Sequence, residues 1–234
     1  MATIQFGGGV TAMSGSIAGN TFARNRAGYY VRPRTKPVNP SSANQLVIRN
    51  AMQFLTQRWH DTLSAEQRTA WATYAAAIPL KNRLGQIFYA TGFNMYLAVN
   101  IFRIQNGNSK CDDGPVTLSL PEVDTGLTLA AYASTQKLHI EHTTELPWTT
   151  IPASIMGIYM GRPQQATINF FNGPWRRAGL INGNGVSPSD ITAPFTLIAG
   201  QKVWVYGRIC TGPTDARLGN PMILSCTVLS EPPE

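Results

Sequence analysis

Near residue 106 the hydrophobic period of this chain changes, and that change limits its possible folds more than any other feature. Before it, apolar residues recur at helical spacing. Val47, Ala51, Leu55 and Trp59 follow at four-residue steps behind Ser42 and Gln45, which stand at capping-box spacing. Ser64 and Gln67 repeat that spacing ahead of Trp71, Tyr74, Ala75 and Ile78, and Pro79 ends the run. Only Asp61-Thr62-Leu63 separates the two runs, so an antiparallel helical hairpin is expected. A third helix fits Phe93 to Ile104, with Phe93, Tyr96, Leu97, Ile101 and Ile104 on one side.

Residues 106–115, Asn-Gly-Asn-Ser-Lys-Cys-Asp-Asp-Gly-Pro, have the composition of a linker. Beyond them the pattern is that of short strands between Gly, Pro and Asn turns: 127–131, 138–141, 154–160, 202–209 and 222–229. Val203 and Val205 alternate with Trp204 and Tyr206. Six to eight such strands in residues 116–230 predict a β-sandwich. The expected fold class is therefore α+β, with a helical region over 41–105, a linker over 106–115 and the sandwich behind it.

Residues 1–40 obey neither period. They hold six glycines and then Pro33, Pro37 and Pro40, which predicts an extended basic arm with no core of its own. Charge is distributed just as unevenly. The first sixty residues carry Arg24, Arg26, Arg32, Arg34, Lys36, Arg49 and Arg58 and no carboxylate; from Asp61 onward twelve basic residues face twelve acidic ones. The formal charge of +7 thus belongs to the N-terminal quarter. A basic, coreless segment on a neutral remainder reads as something that docks onto a partner.

Composition excludes several other classes. No apolar run approaches the ~20 residues of a membrane-spanning helix, and MATIQFGGGV lacks the basic and apolar regions of a secretory leader. Three widely spaced cysteines, Cys111, Cys210 and Cys226, suggest reduced thiols, with pairing of Cys210 and Cys226 left open. No nucleotide loop or nucleophile elbow is present. His139, Glu141 and His142 form the only His/carboxylate cluster, but a strand would point His142 away from the other two. The sequence thus offers no catalytic, cofactor or metal residues, and an enzyme is not expected.

The candidate partner-binding residues lie in the arm: Phe22, Arg24, Arg26, Tyr29, Tyr30, Arg32, Arg34 and Lys36. Arginine interleaved with aromatics suits carboxylates and pockets of a protein partner. It also suits phosphates and bases of nucleic acid. The low charge density and the prolines favour protein. A second candidate is Phe171, Trp175, Arg176 and Arg177 around Asn172-Gly173-Pro174, either sandwich core with a solvated tip or a contact loop.

Gly28-Tyr29-Tyr30-Val31-Arg32, Pro37-Val38-Asn39-Pro40 and then Gln45, Arg49 and Trp59 give the pattern G-x-Y-x-R, P-x-N-P, Q-x-x-x-R and W. With Leu63-Ser64-Ala65-Glu66-Gln67 and Thr91-Gly92-Phe93-Asn94-Met95-Tyr96, it resembles a family of tailed-bacteriophage and prophage structural proteins over about the first hundred residues. The C-terminal part is similar in all-β character to fibronectin and immunoglobulin modules. The resemblance implies a virion protein made in the host bacterial cytoplasm, either a capsid decoration protein or a neck, tail or fibre-attachment protein. Its partners would be phage structural proteins, the major capsid protein foremost, together with further copies of itself. A packaged nucleic-acid-binding protein is the alternative of another class.

Overall fold

A computed structural model describes residues 2–36, 38–82, 84–183 and 186–232; Pro37 of the P-x-N-P motif lies outside them. The fold is mixed α+β, and it divides into two compact units, Met1–Leu97 with Val116–Ser119 and Ala98–Pro115 with Leu120–Glu234.

In the first unit, the segment expected as an extended arm is a four-stranded antiparallel sheet. Its strands are β1 (Ala2–Ile4), β2 (Gly15–Ile17), β3 (Asn20–Asn25) and β4 (Gly28–Pro33), in the order β1-β4-β3-β2. Of the glycines that suggested a featureless arm, Gly8, Gly9 and Gly19 lie in turns and Gly15 and Gly28 begin strands. Two-residue turns at Ala18-Gly19 and Arg26-Ala27 close the β2–β3 and β3–β4 hairpins. Gly28 supplies the positive φ of 117° that leaves the second turn, and Asn25 Oδ1 accepts from the Ala27 amide at 2.9 Å. Proline enters only where β4 ends, at Pro33.

Helices α1 (Ala43–Asp61) and α2 (Ala65–Ala77) follow, then the two-residue strands β5 (Leu80–Lys81) and β6 (Ile87–Phe88), and α3 (Gly92–Gln105), whose residues from Ala98 onward belong to the second unit. The capping box forms at Ser64, whose hydroxyl accepts from the Gln67 amide while Gln67 Oε1 accepts from the Ser64 amide. The matching box expected at Ser42 does not form: Ser42 makes no side-chain cap bond. Correct spacing permits the box without forming it, and Ser42 and Gln45 are both exposed. Ile78 is extended ahead of Pro79, as the proline requires. Leu55, Trp71, Tyr74, Ile78 and Tyr96 are buried together with Ala51, and Trp71 meets Tyr96 at 5.6 Å. Gly92 lets α3 start close on α2, since a Cβ there would lie 2.7 Å from the Ala72 nitrogen. Val47 does not join this core. Four-residue steps drift by about 40° each on a 3.6-residue helix, so the face that buries Leu55 has turned away by Val47.

In the second unit the strands are β7 (Thr128–Tyr132), β8 (Lys137–Glu141), β9 (Ile155–Gly161), β10 (Trp175–Asn182), β11 (Ser189–Thr192), β12 (Lys202–Cys210) and β13 (Met222–Thr227). A one-turn helix, α4 (Pro147–Thr150), precedes β9. One sheet has the order β11-β8-β7 and the other β10-β9-β12-β13, all antiparallel. Both send alternate residues into one core, with Leu138 and Ile140 from the first and Met156, Ile158, Met160, Val203 and Val205 from the second. After β13 the chain runs on beside β7, where Leu229 exchanges backbone bonds with Ala131 and Ala133. β10 and β11 escape a periodicity reading. A bulge between Arg177 and Gly179 breaks the alternation of β10, and β11 buries only Ile191.

The 106–115 segment is packed, not a free linker. Asn100, fully buried on α3, donates to the Cys111 carbonyl at 2.9 Å and accepts from the Cys111 amide at 2.6 Å. Buried Arg103 donates to the carbonyls of Ser109 at 2.9 Å and Thr211 at 2.8 Å. Composition signals turns here correctly; it cannot show that buried side chains satisfy their backbone. All three cysteines are free thiols. Cys226 stands opposite Val203 in the β12–β13 ladder, at the other end of β12 from Cys210, so the pairing left open does not occur. Burial pushes both thiols up to about 11.

Candidate docking surface

The sheet of the first unit distributes the eight arm residues rather than gathering them. Antiparallel register places Phe22 opposite Val31 and Arg24 opposite Tyr29, so these four share one face. There the Arg24 guanidinium lies 5.2 Å from the Tyr29 ring centre, and Phe6 meets the same ring edge-on at 5.1 Å. Tyr30 and Arg32 point to the other face, with Thr3 and Thr21 as their cross-strand neighbours. Arg26 sits in the β3–β4 turn, whereas Arg34 and Lys36 follow the end of β4, where the Arg34 amide donates to the Gly19 carbonyl at 2.8 Å.

Two properties make this surface unusual. None of the described residues from 2 to 50 is buried, although four strands and the start of α1 lie among them. Among the described residues, moreover, Arg26, Arg32, Arg34 and Lys36 are joined to no carboxylate. The unit as a whole carries ten basic residues against two acidic ones, a net +8, while the second unit carries nine against ten, a net −1. The asymmetry seen in the sequence therefore follows the structural division.

On the Tyr30 face there is a cavity of about 290 Å³ lined by Thr3, Asn25, Tyr30, Lys81, Asn82 and Phe88. Asn82 fixes its wall. Its Nδ2 donates to the Ala27 carbonyl at 2.8 Å and to Gln86 Oε1 at 2.9 Å, and its Oδ1 accepts from the amides of Leu84 and Gln86. One side chain thereby ties the β3–β4 turn to the β5–β6 hairpin. The sequence reading did not single out Asn82 or Lys81; the only local signal is an Asx residue ahead of Leu84-Gly85.

The second candidate is built largely into its own unit. Phe171 stacks on Trp204 at 5.6 Å and meets Trp175 edge-on at 5.0 Å, while Trp175 lies 5.7 Å from Tyr206. Arg177 donates to Asn106 Oδ1 at 2.9 Å, and Arg176 covers the Phe195 ring at 4.6 Å. Phe171, Trp175 and Arg177 cover the outer face of the β9–β12 sheet, whereas Arg176 stands opposite Met160 on the core side, over Phe195. Phe170, 78% exposed, is the free aromatic of the loop.

The histidine cluster divides as β8 dictates. His139 Nδ1 and Asp190 Oδ1 are 2.7 Å apart across the β8–β11 ladder, and the hydrogen bond from His139 holds the Asp190 carboxyl below its ordinary value. His142 is buried against Trp148 at 5.2 Å, and that burial lowers its pKa although Asp124 opposes the shift. Among the described residues no group of three or more His, Cys, Asp or Glu is placed to hold a metal ion. No described helix is long and apolar enough to cross a membrane. Compared with known protein families and with curated proteins, the chain matches none.

Proposed function

We propose that the chain is a non-enzymatic structural protein of a tailed-bacteriophage virion, a decoration or cement component that docks on the capsid through its first unit. One observation carries this reading: four strands and the start of a helix are laid out in residues 2–50 without one buried side chain, on a unit with a net +8. A sheet whose side chains are at most half-buried gains little from folding alone, because ordering each residue costs about 1–2 kcal/mol that burial must offset. A partner surface supplies the missing half of the core. Arginine beside tyrosine, as in Arg24 over Tyr29, is a common composition for the centre of such a contact.

The second unit is then an immunoglobulin- or fibronectin-like sandwich. Seven antiparallel strands ordered β11-β8-β7 and β10-β9-β12-β13 around one core support that assignment. A neck, tail or fibre-attachment position uses the same docking unit, and copy number separates the two. Hundreds of copies per particle indicate the capsid, whereas about six or twelve indicate the neck or a fibre base.

Deleting residues 1–40 is the test. Attachment to particles should be lost while the aromatic circular dichroism of the second unit persists. A truncated chain that still decorates particles refutes docking through this segment. A second reading, a packaged nucleic-acid-binding protein, is favoured by the arginines without carboxylate partners. It requires DNA affinity that falls steeply with salt, and the absence of binding at low salt removes it.

A further inference from the structure

We infer that the cavity on the Tyr30 face receives one carboxylate side chain, a glutamate or aspartate of the protein on which the first unit docks. Its lining is rich in donors, and its side-chain acceptors are already engaged. Asn25 Oδ1 takes the Ala27 amide, and Asn82 Oδ1 takes the amides of Leu84 and Gln86. Among the described residues, the lining groups without a hydrogen-bond partner include the Lys81 ammonium, the Asn25 amide hydrogens and the hydroxyls of Tyr30 and Thr3. An ammonium only donates and a carboxylate only accepts, so a carboxylate is the complement of this set. Asn82 also fixes the wall before any guest arrives. Its four hydrogen-bonding positions are spent on the Ala27 carbonyl, Gln86 Oε1 and two backbone amides. A wall held in this way lowers the ordering cost of binding.

Charge identifies the occupant. Among the described residues Lys81 is the one charged side chain of the lining, and it joins no carboxylate. The two acidic residues of the unit, Asp61 at the end of α1 and Glu66 in the first turn of α2, do not line the cavity. In a unit of net +8 the cation is therefore left for an acid brought from outside. The walls favour a protein acid over a nucleic acid. A volume of about 290 Å³ holds a side chain, and the Phe88 ring gives its methylene stem an apolar surface. A nucleic-acid strand brings closely spaced phosphates and calls for a row of cations, where this lining supplies one. The inference rests on the docking reading above and names the chemical group that the partner presents to the sheet.

Nuclear magnetic resonance of the free full-length protein, titrated with N-acetylglutamate N-methylamide, reads the site directly. The side-chain amide signals of Asn25 and Asn82 and the methylene signals of Lys81 should shift together and saturate with a Kd of about 1–10 mM. The glutamine counterpart should leave them unmoved. Lys81→Met should abolish the shifts and Lys81→Arg should keep them; Lys81 is exposed, so neither variant should disturb the fold. On particles, Lys81→Glu should raise the concentration needed for half-saturation about tenfold or more, and Lys81→Arg should leave it near the native value. Inorganic phosphate that shifts the same signals more strongly than the glutamate compound overturns the assignment to a protein acid. Equal shifts at lysines and arginines across the unit mean an adventitious ion only, and also overturn it. If Lys81→Glu decorates particles normally while deletion of residues 1–40 abolishes attachment, the cavity has no part in docking and the docking reading stands. If the deletion still decorates although the native protein binds the glutamate compound, the docking reading falls, and with it the assignment of the acid to that partner.

Discussion

All seven residues of β9 are buried, whereas β3 and β4, equally regular and joined by a tighter turn, contain no buried residue. The ladders are alike in hydrogen bonding and differ in what lies behind them. In the second unit a facing sheet covers Met156, Ile158 and Met160. In the first unit Phe22, Tyr29 and Val31 are only half-covered. Backbone pairing contributes little net stability in water, since unfolded chains pair with solvent instead. The contrast therefore separates a sheet with a facing layer behind it from one whose faces stay half open, as the proposed docking requires.

Truncating the two sheets should expose this difference most strongly. Ile158→Ala should cost about 2–5 kcal/mol in chemical denaturation of the second unit. Val31→Ala in β4 should cost less than about 1 kcal/mol in the free protein, because its methyl groups are already half in water, and should instead lower attachment to particles. Equal losses at the two sites would break the comparison. Next in size is Arg103→Met, which strands the carbonyls of Ser109 and Thr211. It should cost about 2 kcal/mol or more in the same unfolding measurement, at about 1–3 kcal/mol for each unpaired buried group.

The boundaries of the helices were readable from caps and breakers: Ser64 with Gln67, and Ile78 before Pro79. The alternation in β12 was equally plain. Three features were not legible, each for a physical reason. Glycine-rich sequence serves flexible chain and tight hairpins alike, so residues 2–33 showed the charge of the first unit without its sheet. The 106–115 segment depends on Asn100 and Arg103, polar residues in a helix whose burial no local pattern announces. Composition marks the eight arm residues alike, but strand alternation sends Arg24 and Arg32 to opposite faces, and Asn82, which organises the cavity, lies 55 residues beyond the Ala27 carbonyl it binds.

Acid should sharpen the contrast further. Burial holds the His142 imidazole below its ordinary 6.5, with Asp124 as the nearby opposing charge, and neither ring nitrogen has a partner among the described residues. The unfolded chain therefore takes up a proton more readily as pH falls through 6.5. Stability of the second unit should be full above that value and should decline from there toward the lowered native value. Denaturation midpoints recorded between pH 7.5 and 5 should fall with acidity in the native protein and much less in His142→Phe. The smallest effect is expected at Ala18, whose positive φ of 49° strains a non-glycine residue in the β2–β3 turn. Ala18→Gly should slow hydrogen exchange of the β2 and β3 amides by an amount equivalent to at most about 1 kcal/mol, with no change in the second unit.

Hydrogen exchange resolved by residue on the free protein, and again on protein bound to particles, addresses the docking claim most directly. In the free protein the β3 and β4 amides should exchange orders of magnitude faster than those of β9 and β12, and attachment should slow β3 and β4 while leaving β9 and β12 unchanged. If β3 and β4 are already as protected as β9 in the free protein, or stay unprotected on the particle, the N-terminal sheet is not a surface completed by a partner.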